Sequence, residues 1–213
     1  MNHLLPDVDV VAAYIELRDR FVSLLRTVPE DLGNRIVPHC PAWTVCELAS
    51  HVVGVPEDII AGRMDGVASD AWTRAQVERH RGKTLCDLAD LMEGLSTQFD
   101  PMIQYFPAMA RSQMVLDAMS HEHDLRHAVG RPGARDSQAV AVGVSFLREW
   151  LSKSPVPDVE SLFMFGVQDF DLIRAITGRR SRAQVASLGL PVHIIDALHA
   201  QSLFSTPPKS IEE

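Results

Sequence analysis

The sequence predicts a mainly α-helical protein, made of a helical bundle and a short, mostly helical C-terminal extension. Two observations support this fold class. Apolar residues recur at the spacing of amphipathic helices through most of 7–151. Prolines and glycines separate these periodic segments from one another. We therefore assign residues 1–153 to the bundle and residues 154–213 to an extension that packs on it.

The first two predicted helices have clear boundaries. Helical spacing covers 7–28, and the proline that follows ends this pattern. The second helix begins near Val45, because Thr44 is a good N-cap residue and Glu47, three residues later, completes a capping box. Trp43 directly precedes this cap, so we expect it to act as a hydrophobic staple. The apolar stripe of the second helix consists of Val45, Leu48, Val52, Val55 and Ile59.

Three further long helices follow a polar connection at 62–82, which is expected to contain one short helix. The third helix begins after Thr84, another N-cap residue, and ends near Pro101. The fourth covers 108–129 and the fifth covers 137–151. The first four helices are of similar length, which favours a four-helix bundle.

The C-terminal extension begins after a break at Pro155 and Pro157. Periodicity does not decide whether 159–167 forms a short strand or a buried turn. The tail at 205–213 is expected to be frayed. Short helices are predicted within 170–178, 181–190 and 191–204.

Composition narrows the class of protein. The formal net charge of -8 argues against a general binder of nucleic acid or of anionic membranes, which would need a basic surface. No apolar run approaches the ~20 residues of a membrane span, and the N-terminus lacks the pattern of a signal peptide. We therefore expect a cytoplasmic protein with reduced thiols that are not nucleophiles. These thiols belong to Cys40, Cys46 and Cys86.

The stretch 114–130 carries the strongest candidate site. On a helix of about 100° per residue, His121 falls within the apolar face, and Asp117 lies at its edge one turn earlier. Residues four apart share one helix face, so this pair could bind one metal ion, and so could His123 with His127. The pattern turns the first pair inward and the second outward. On this helix alone, a hydrogen bond between Asp117 and His121 at the edge of a core is the plainer interpretation.

Other charged residues of this stretch have simpler explanations. Glu122 and Arg126 form a pair four residues apart, which is typical of a solvated surface. Asp124 lies on the same side as His121 and could orient that histidine as a ligand. Pairing of Asp124 with Arg126 or Arg131 is an equal alternative.

His51 completes a candidate metal site if the second and fourth predicted helices face each other. It lies one turn from Leu48 and points the same way, although a lone histidine on an apolar face is more often a hydrogen-bonded core residue. Helical bundles build metal sites from inward side chains on facing helices. Together with Asp117 and His121 it provides two nitrogens and one carboxylate. This set suits zinc, or nickel or another first-row divalent ion, and leaves coordination positions open.

Three motifs occur in a telling order along the chain: PAWTVCELASHVVG, LDAMSHEHDLRHAVGRPG and DLIRAITGRRS. They resemble the "GWTVxDLxxHL", "xxDLRxxLGRP" and "DLLLALTGR" stretches of the mycothiol-dependent maleylpyruvate isomerase family, which belongs to the DinB-like metal-binding helical bundles. The resemblance covers most of the chain and implies a DinB-like four-helix bundle. It also implies that His51, Asp117 and His121 are the metal ligands, although the isomerase itself has glutamate at the position of Asp117.

The resemblance implies an enzyme that uses mycothiol to attack a small electrophile. A divalent ion would lower the pKa of the thiol, and the thiolate would either be transferred to the electrophile or catalyse its cis–trans isomerisation. Arg179 and Arg180 could bind an anionic substrate, or could simply follow a helix C-terminus. The partners implied are a small molecule and a low-molecular-weight thiol, without nucleic acid or membrane.

Two alternatives and the oligomeric state stay open. The chain could be a DinB-like metal-binding module without catalysis, such as a sensor or a detoxification protein. It could also be a plain bundle that has lost its metal site. The segment after Pro157 is short for the C-terminal domain of the isomerase, which argues against maleylpyruvate as substrate. A homodimer is compatible with the sequence.

Overall fold

The computed structural model describes residues 2–202 and 204–213. The chain is mainly helical, with 64% helix and 3% strand, which confirms the predicted class. Within the described residues, no helix is both long and apolar enough to cross a membrane. The α-helices are α1 (Asp7–Thr27), α2 (Val45–Ile60), α3 (Asp70–Arg79), α4 (Leu85–Ile103), α5 (Ala108–Ala128), α6 (Gln138–Leu151), α7 (Asp169–Ile176), α8 (Arg182–Ser187) and α9 (Val192–His199).

Four long helices surround the main core. Helix α1 packs against α4 and α5, and α2 packs against the same two helices, so each of the four has two neighbours. Helix α6 packs outside this group, against α5 and α1, and α7 packs on α6. Helix α2 therefore lies against both α4 and α5, and Val45, Leu48 and Val52 of its apolar stripe are buried. Buried core residues include Leu17, Phe21, Leu48, Val52, Leu88, Met92, Val115 and Met119.

The start of α2 is fixed by the predicted capping box. The backbone N–H of Glu47 donates to the Thr44 hydroxyl at 3.2 Å, and the Glu47 carboxylate accepts from the Thr44 backbone N–H at 2.8 Å. The reciprocal bonds satisfy two backbone donors that a helix N-terminus otherwise leaves free. Because the capping box fixes the first residue of α2, it also fixes the direction in which each later side chain of this helix points.

A short antiparallel hairpin precedes α2 and was not predicted. Strand β1 (Ile36–Val37) pairs with β2 (Cys40–Thr44), and β2 leads directly into the cap of α2. A two-residue strand is too short to leave an alternating pattern in the sequence. The hairpin brings Trp43 beside His51 of α2 and Cys40 beside Asp124 of α5.

The polar connection after α2 contains a helix that packs closely on α2. Helix α3 begins after Ser69, whose hydroxyl accepts from the backbone N–H of Trp72 at 3.3 Å. Its fully buried residue is the polar Gln76, which explains its weak apolar pattern. Gly54 permits the contact, because a Cβ there would lie 2.6 Å from the Cβ and Cγ atoms of Gln76.

The C-terminal extension is more ordered than the sequence suggested. Residues Val159–Met164 form a 3-10 helix, so this segment is neither a strand nor a simple turn. Helices α7, α8 and α9 correspond to the three predicted short helices. The predicted helix at 191–204 included Leu203, which lies outside the described residues, and α9 ends at His199.

The expectation of a frayed tail is wrong. The side-chain amide of Gln184 donates to the carbonyl of Ile211 at 2.9 Å, and the hydroxyls of Ser181 and Ser210 lie 2.8 Å apart. The carboxylate of Glu213 accepts hydrogen bonds from two arginines of the extension. A composition rich in polar residues and proline does not reveal such long-range partners.

The side of α5 that the pattern turned outward is buried. His123 is almost fully covered, with its ring 4.7 Å from that of Phe170. Glu122 is fully buried and binds both Arg20 and Arg126, so this pair is not a solvated one. The helical pattern shows only which side of α5 is polar. It could not show that other elements of the chain cover that polar side.

Candidate metal centre

Helices α2 and α5 bring three candidate ligands together. His51 Nε2 lies 3.5 Å from Asp117 Oδ2, and His121 Nε2 lies 3.6 Å from Asp117 Oδ1. The two imidazole rings meet edge to face, with centroids 5.1 Å apart. One ligand atom from each residue lies within 4.8 Å of the other two. The geometry therefore brings together the three residues that the sequence singled out.

These separations suit a coordination sphere better than direct hydrogen bonds. Nitrogen–oxygen hydrogen bonds are usually about 2.7–3.2 Å long. Ligand bonds of about 2.0–2.2 Å in a tetrahedral site place neighbouring ligand atoms about 3.3–3.6 Å apart. The two contacts, 3.5 Å to Oδ2 and 3.6 Å to Oδ1 of Asp117, are longer than hydrogen bonds, and one ligand atom from each residue lies within 4.8 Å of the other two. The donor set and its spacing therefore fit a divalent cation.

His51 is oriented from behind by a buried amide. Its Nδ1 lies 2.8 Å from Oε1 of Gln76, whose Nε2 donates to Asp58 at 2.9 Å. Asp58 is held in turn by Arg63 at 2.6 Å and Arg79 at 2.7 Å. Because the Gln76 nitrogen is engaged by Asp58, its oxygen is the atom left to accept from His51. The His51 proton therefore belongs on Nδ1, which leaves Nε2 free to bind a metal.

His121 has a carboxylate behind it. Its Nδ1 lies 3.4 Å from Oδ2 of the fully buried Asp124, a polar contact without the geometry of a full hydrogen bond. Asp124 accepts from Arg174 at 2.6 Å and from Arg179 at 2.9 Å. Asp124 therefore lies beside His121, as predicted, and it pairs with Arg174 and Arg179 rather than with Arg126 or Arg131.

The two arginines keep Asp124 ionised in the interior. Burial raises the pKa of this carboxyl, but the charges of Arg179 and Arg174 outweigh burial and hold the pKa well below its usual range. A carboxylate behind a ligating histidine fixes the ring and increases its basicity. Arg174 had not been singled out in the sequence, because it lies in an ordinary helical pattern far from 114–130.

The charge at the centre comes from Asp117. The partly buried position of Asp117 raises its pKa, but the interaction with His51 and the charge of His121 outweigh this effect and lower the pKa to about 2. Burial lowers the pKa of His51, yet Asp117 outweighs burial and leaves that pKa raised. One carboxylate thus faces two imidazoles, an arrangement that attracts cations.

The hairpin supplies two further residues near the centre. The Trp43 ring lies 5.4 Å from that of His51 and 5.8 Å from that of His121, so Trp43 contacts the site, which the sequence did not predict. Cys40 Sγ lies 3.5 Å from Oδ2 of Asp124. Burial, followed by the charge of Asp124, raises the pKa of Cys40 to about 12. A neutral thiol agrees with the expectation that Cys40 is not a nucleophile.

Access to the centre is from the side of Asp117. The side chains of His51 and His121 are 7% and 11% exposed, whereas that of Asp117 is 44% exposed. The histidines are thus fixed in the interior while one edge of the carboxylate faces solvent. A divalent ion held by these residues would be reached by solvent from the side of Asp117.

The second pair on α5 does not join this centre. His123 packs against Phe170, and His127 lies beside His39, with ring centroids 5.1 Å apart. The two pairs are therefore separated by the helix itself, as the helical phase predicted, although both sides of the helix are covered.

The fold and the centre together define a mainly helical protein in which two buried histidines and one partly exposed aspartate lie close together. Comparison of the chain with models of protein families, with curated proteins and with solved structures finds no match.

Proposed function

We propose that this protein is a divalent-metal-dependent, mycothiol-using enzyme with a DinB-like four-helix bundle, similar to the mycothiol-dependent maleylpyruvate isomerase family. Its reaction is thiol S-transfer to a small electrophile or cis–trans isomerisation of one. The observation that carries the proposal is the convergence of His51 Nε2, His121 Nε2 and the Asp117 carboxylate. Zinc is the first candidate metal, with nickel or another first-row divalent ion next.

The buried network behind the two histidines supports this assignment. Gln76 and Asp124 face the Nδ1 atoms, so both Nε2 lone pairs point to the same place. Groups that orient a histidine through its second nitrogen are a regular feature of metal sites. A pair of structural core histidines would need only one such hydrogen bond each, without a shared carboxylate between them.

The fold supports the DinB-like assignment. Helices α1, α4, α2 and α5 pack in a closed order, and the ligands lie on the two facing helices α2 and α5. The motif that ends at His51 begins with the capping box that fixes α2. Sequence motif, helix start and ligand position are thus parts of one local arrangement.

The site assigns a task to each residue. A bound divalent ion would supply a positive centre with an open position, at which a thiol loses its proton near neutral pH. The two histidines and Asp117 would contribute a single negative charge, which leaves a net positive site for a thiolate. Trp43 provides an apolar wall beside the histidines, and the exposed edge of Asp117 marks the direction of approach.

One observation favours the non-catalytic alternative. The arginines that could bind an anionic substrate are paired: Arg179 with Asp124, and Arg180 with Asp171 and Glu213. A paired guanidinium has less attraction for an anion than a free one. In a metal-binding module without a substrate, these arginine–carboxylate ion pairs would stay intact.

The test is metal analysis followed by an activity screen. Zinc and nickel are measured in the purified protein and in the His51→Ala and His121→Ala variants. Electrophiles, including an aryl halide and an unsaturated dicarboxylate, are then tested with and without mycothiol. We expect the variants to lose the ion of this site and turnover to require the thiol. Full metal content in both variants would reject the site, and metal without thiol-dependent turnover would favour the non-catalytic module.

A further inference from the structure

A second cluster of potential ligands lies at the other side of α5. It joins His39, in the turn of the hairpin, to His127, in the last turn of α5, and to Glu213 of the tail. One ligand atom from each lies within 4.8 Å of the other two. His39 Nε2 is 3.5 Å from Glu213 Oε1, again the spacing of two ligands on one ion. No residue of this cluster belongs to the candidate centre of His51, Asp117 and His121, which we call the first centre.

The two histidines present buried nitrogens without partners. His39 Nε2 and His127 Nδ1 are inaccessible to solvent and form no hydrogen bond within the described residues. The side chains of His39 and Glu213 are only 1% and 5% exposed. Buried polar atoms nearly always have a partner, so the unpaired nitrogens of two histidines that lie close to one carboxylate point to a bound ion.

A direct hydrogen bond between His39 and Glu213 does not account for the cluster. Their facing atoms, Nε2 and Oε1, are 3.5 Å apart, which is longer than the usual ~2.7–3.2 Å of a nitrogen–oxygen hydrogen bond. An imidazole nitrogen without a proton offers a lone pair to a metal ion.

The carboxylate has room for a metal despite its arginine partners. Oε2 of Glu213 accepts from both Arg174 and Arg180, whereas Oε1, the atom that faces His39, accepts from Arg174 alone. A carboxylate oxygen accepts two such bonds, so one lone pair of Oε1 stays free. The nearby arginines are matched by carboxylates, since Arg174 also binds Asp124 and Arg180 also binds Asp171.

We propose that His39, His127 and Glu213 form a second divalent-metal site, separate from the first centre. Two nitrogens and one carboxylate oxygen suit zinc, with a water molecule as a further ligand. Because the ligands come from the hairpin, α5 and the tail, the ion ties three distant segments together. The low exposure of the His39 and Glu213 side chains favours a structural ion, whose binding stabilises the docked tail.

The test counts zinc ions per chain after loading and dialysis of the full-length protein. We expect about two ions in the wild type, about one in each of His39→Ala, His127→Ala and His51→Ala, and none in the double variant of His39 and His51. His193→Ala removes an exposed histidine of α9 and serves as the matched control. Cobalt absorption measured in parallel reports whether the remaining ion keeps its own coordination.

The outcomes separate this site from the first. A single ion that is lost in His51→Ala but kept in His39→Ala overturns the second site and leaves the first. A single ion with the opposite behaviour supports the second site and rejects the first. Absence of zinc from the folded wild type rejects both.

Glu213→Gln guards against misfolding of the histidine variants. It keeps an acceptor for the arginines but weakens the ligand set, so we expect at least tenfold weaker zinc binding at this site, with an unchanged helical circular dichroism spectrum. Unchanged zinc affinity in this folded variant overturns the role of Glu213 as a ligand.

Discussion

Gln76 Oε1 lies 2.8 Å from His51 Nδ1 at the fully buried junction of α2 and α3. The amide is itself fixed, because its nitrogen donates to Asp58 at 2.9 Å. The tautomer of a histidine on one helix is thus set by a side chain on another. Gln76 is a positioning residue for the proposed metal centre, and its contribution can be measured without touching a ligand.

We therefore predict that Gln76→Leu weakens metal binding at the first centre by about 10–100-fold. Leucine has a similar volume but cannot accept the Nδ1 proton, so the imidazole is no longer held in the binding tautomer. Affinity is measured by competition with a chromophoric chelator. The control is Gln113→Leu on the exposed side of α5. Equal affinity of wild type and Gln76→Leu would remove Gln76 from the site.

The second prediction is that replacing each of two glycines by alanine changes the free energy of unfolding in opposite directions. Gly54 lies at the contact between α2 and α3, and Gly94 serves as the comparison. A methyl group at Gly54 would lie 2.6 Å from Gln76, so Gly54→Ala should destabilise the fold by about 1–3 kcal/mol and weaken metal binding. Gly94, in α4, has open space around its position. Gly94→Ala should stabilise the fold by about 0.5–1 kcal/mol. Urea unfolding of both variants tests this, and destabilisation by both would contradict it.

Bound metal should raise the melting temperature of the protein. An ion that binds only the folded state, at a free concentration of a hundred times its Kd, adds about 2.7 kcal/mol to the free energy of unfolding. Removal of metal with a chelator should therefore lower the melting temperature of the wild type, and should lower that of His51→Ala and of His121→Ala by less. His123→Ala is the matched control, because it removes a buried histidine of the same helix outside both proposed sites. An identical effect of the chelator on all four proteins would argue against the first centre.

Much of the first centre could be predicted because its determinants are local. Thr44 and Glu47 lie three residues apart, and their box fixes the start of α2. Asp117 and His121 lie one helical turn apart, so their common direction follows from helix geometry. The only assumption was that α2 and α5 face each other, and in the structure these two helices are in contact.

The parts that sequence analysis missed depend on contacts between distant segments. His123 is polar, yet it is buried against Phe170 because the C-terminal extension covers that side of α5. Gln76 resembles any polar residue of a surface helix until α3 is packed on α2. The tail is ordered by Arg174 and Arg180, which lie more than one helix away. Periodicity carries no information about such partners.

The last prediction concerns Asp117→Asn, which tests the proposed chemistry more directly than loss of a histidine. Asparagine keeps the size and an oxygen ligand but removes the negative charge, so the ion should be held less tightly, by at least the ~10–100-fold that loss of an outer partner costs. We expect activity to recover in part at high metal concentration, with its dependence on thiol unchanged. Activity that excess metal cannot restore would make Asp117 an acid–base or structural residue. Equal turnover without any thiol would instead reject thiol transfer and favour hydrolysis, which an open divalent-metal site can also support.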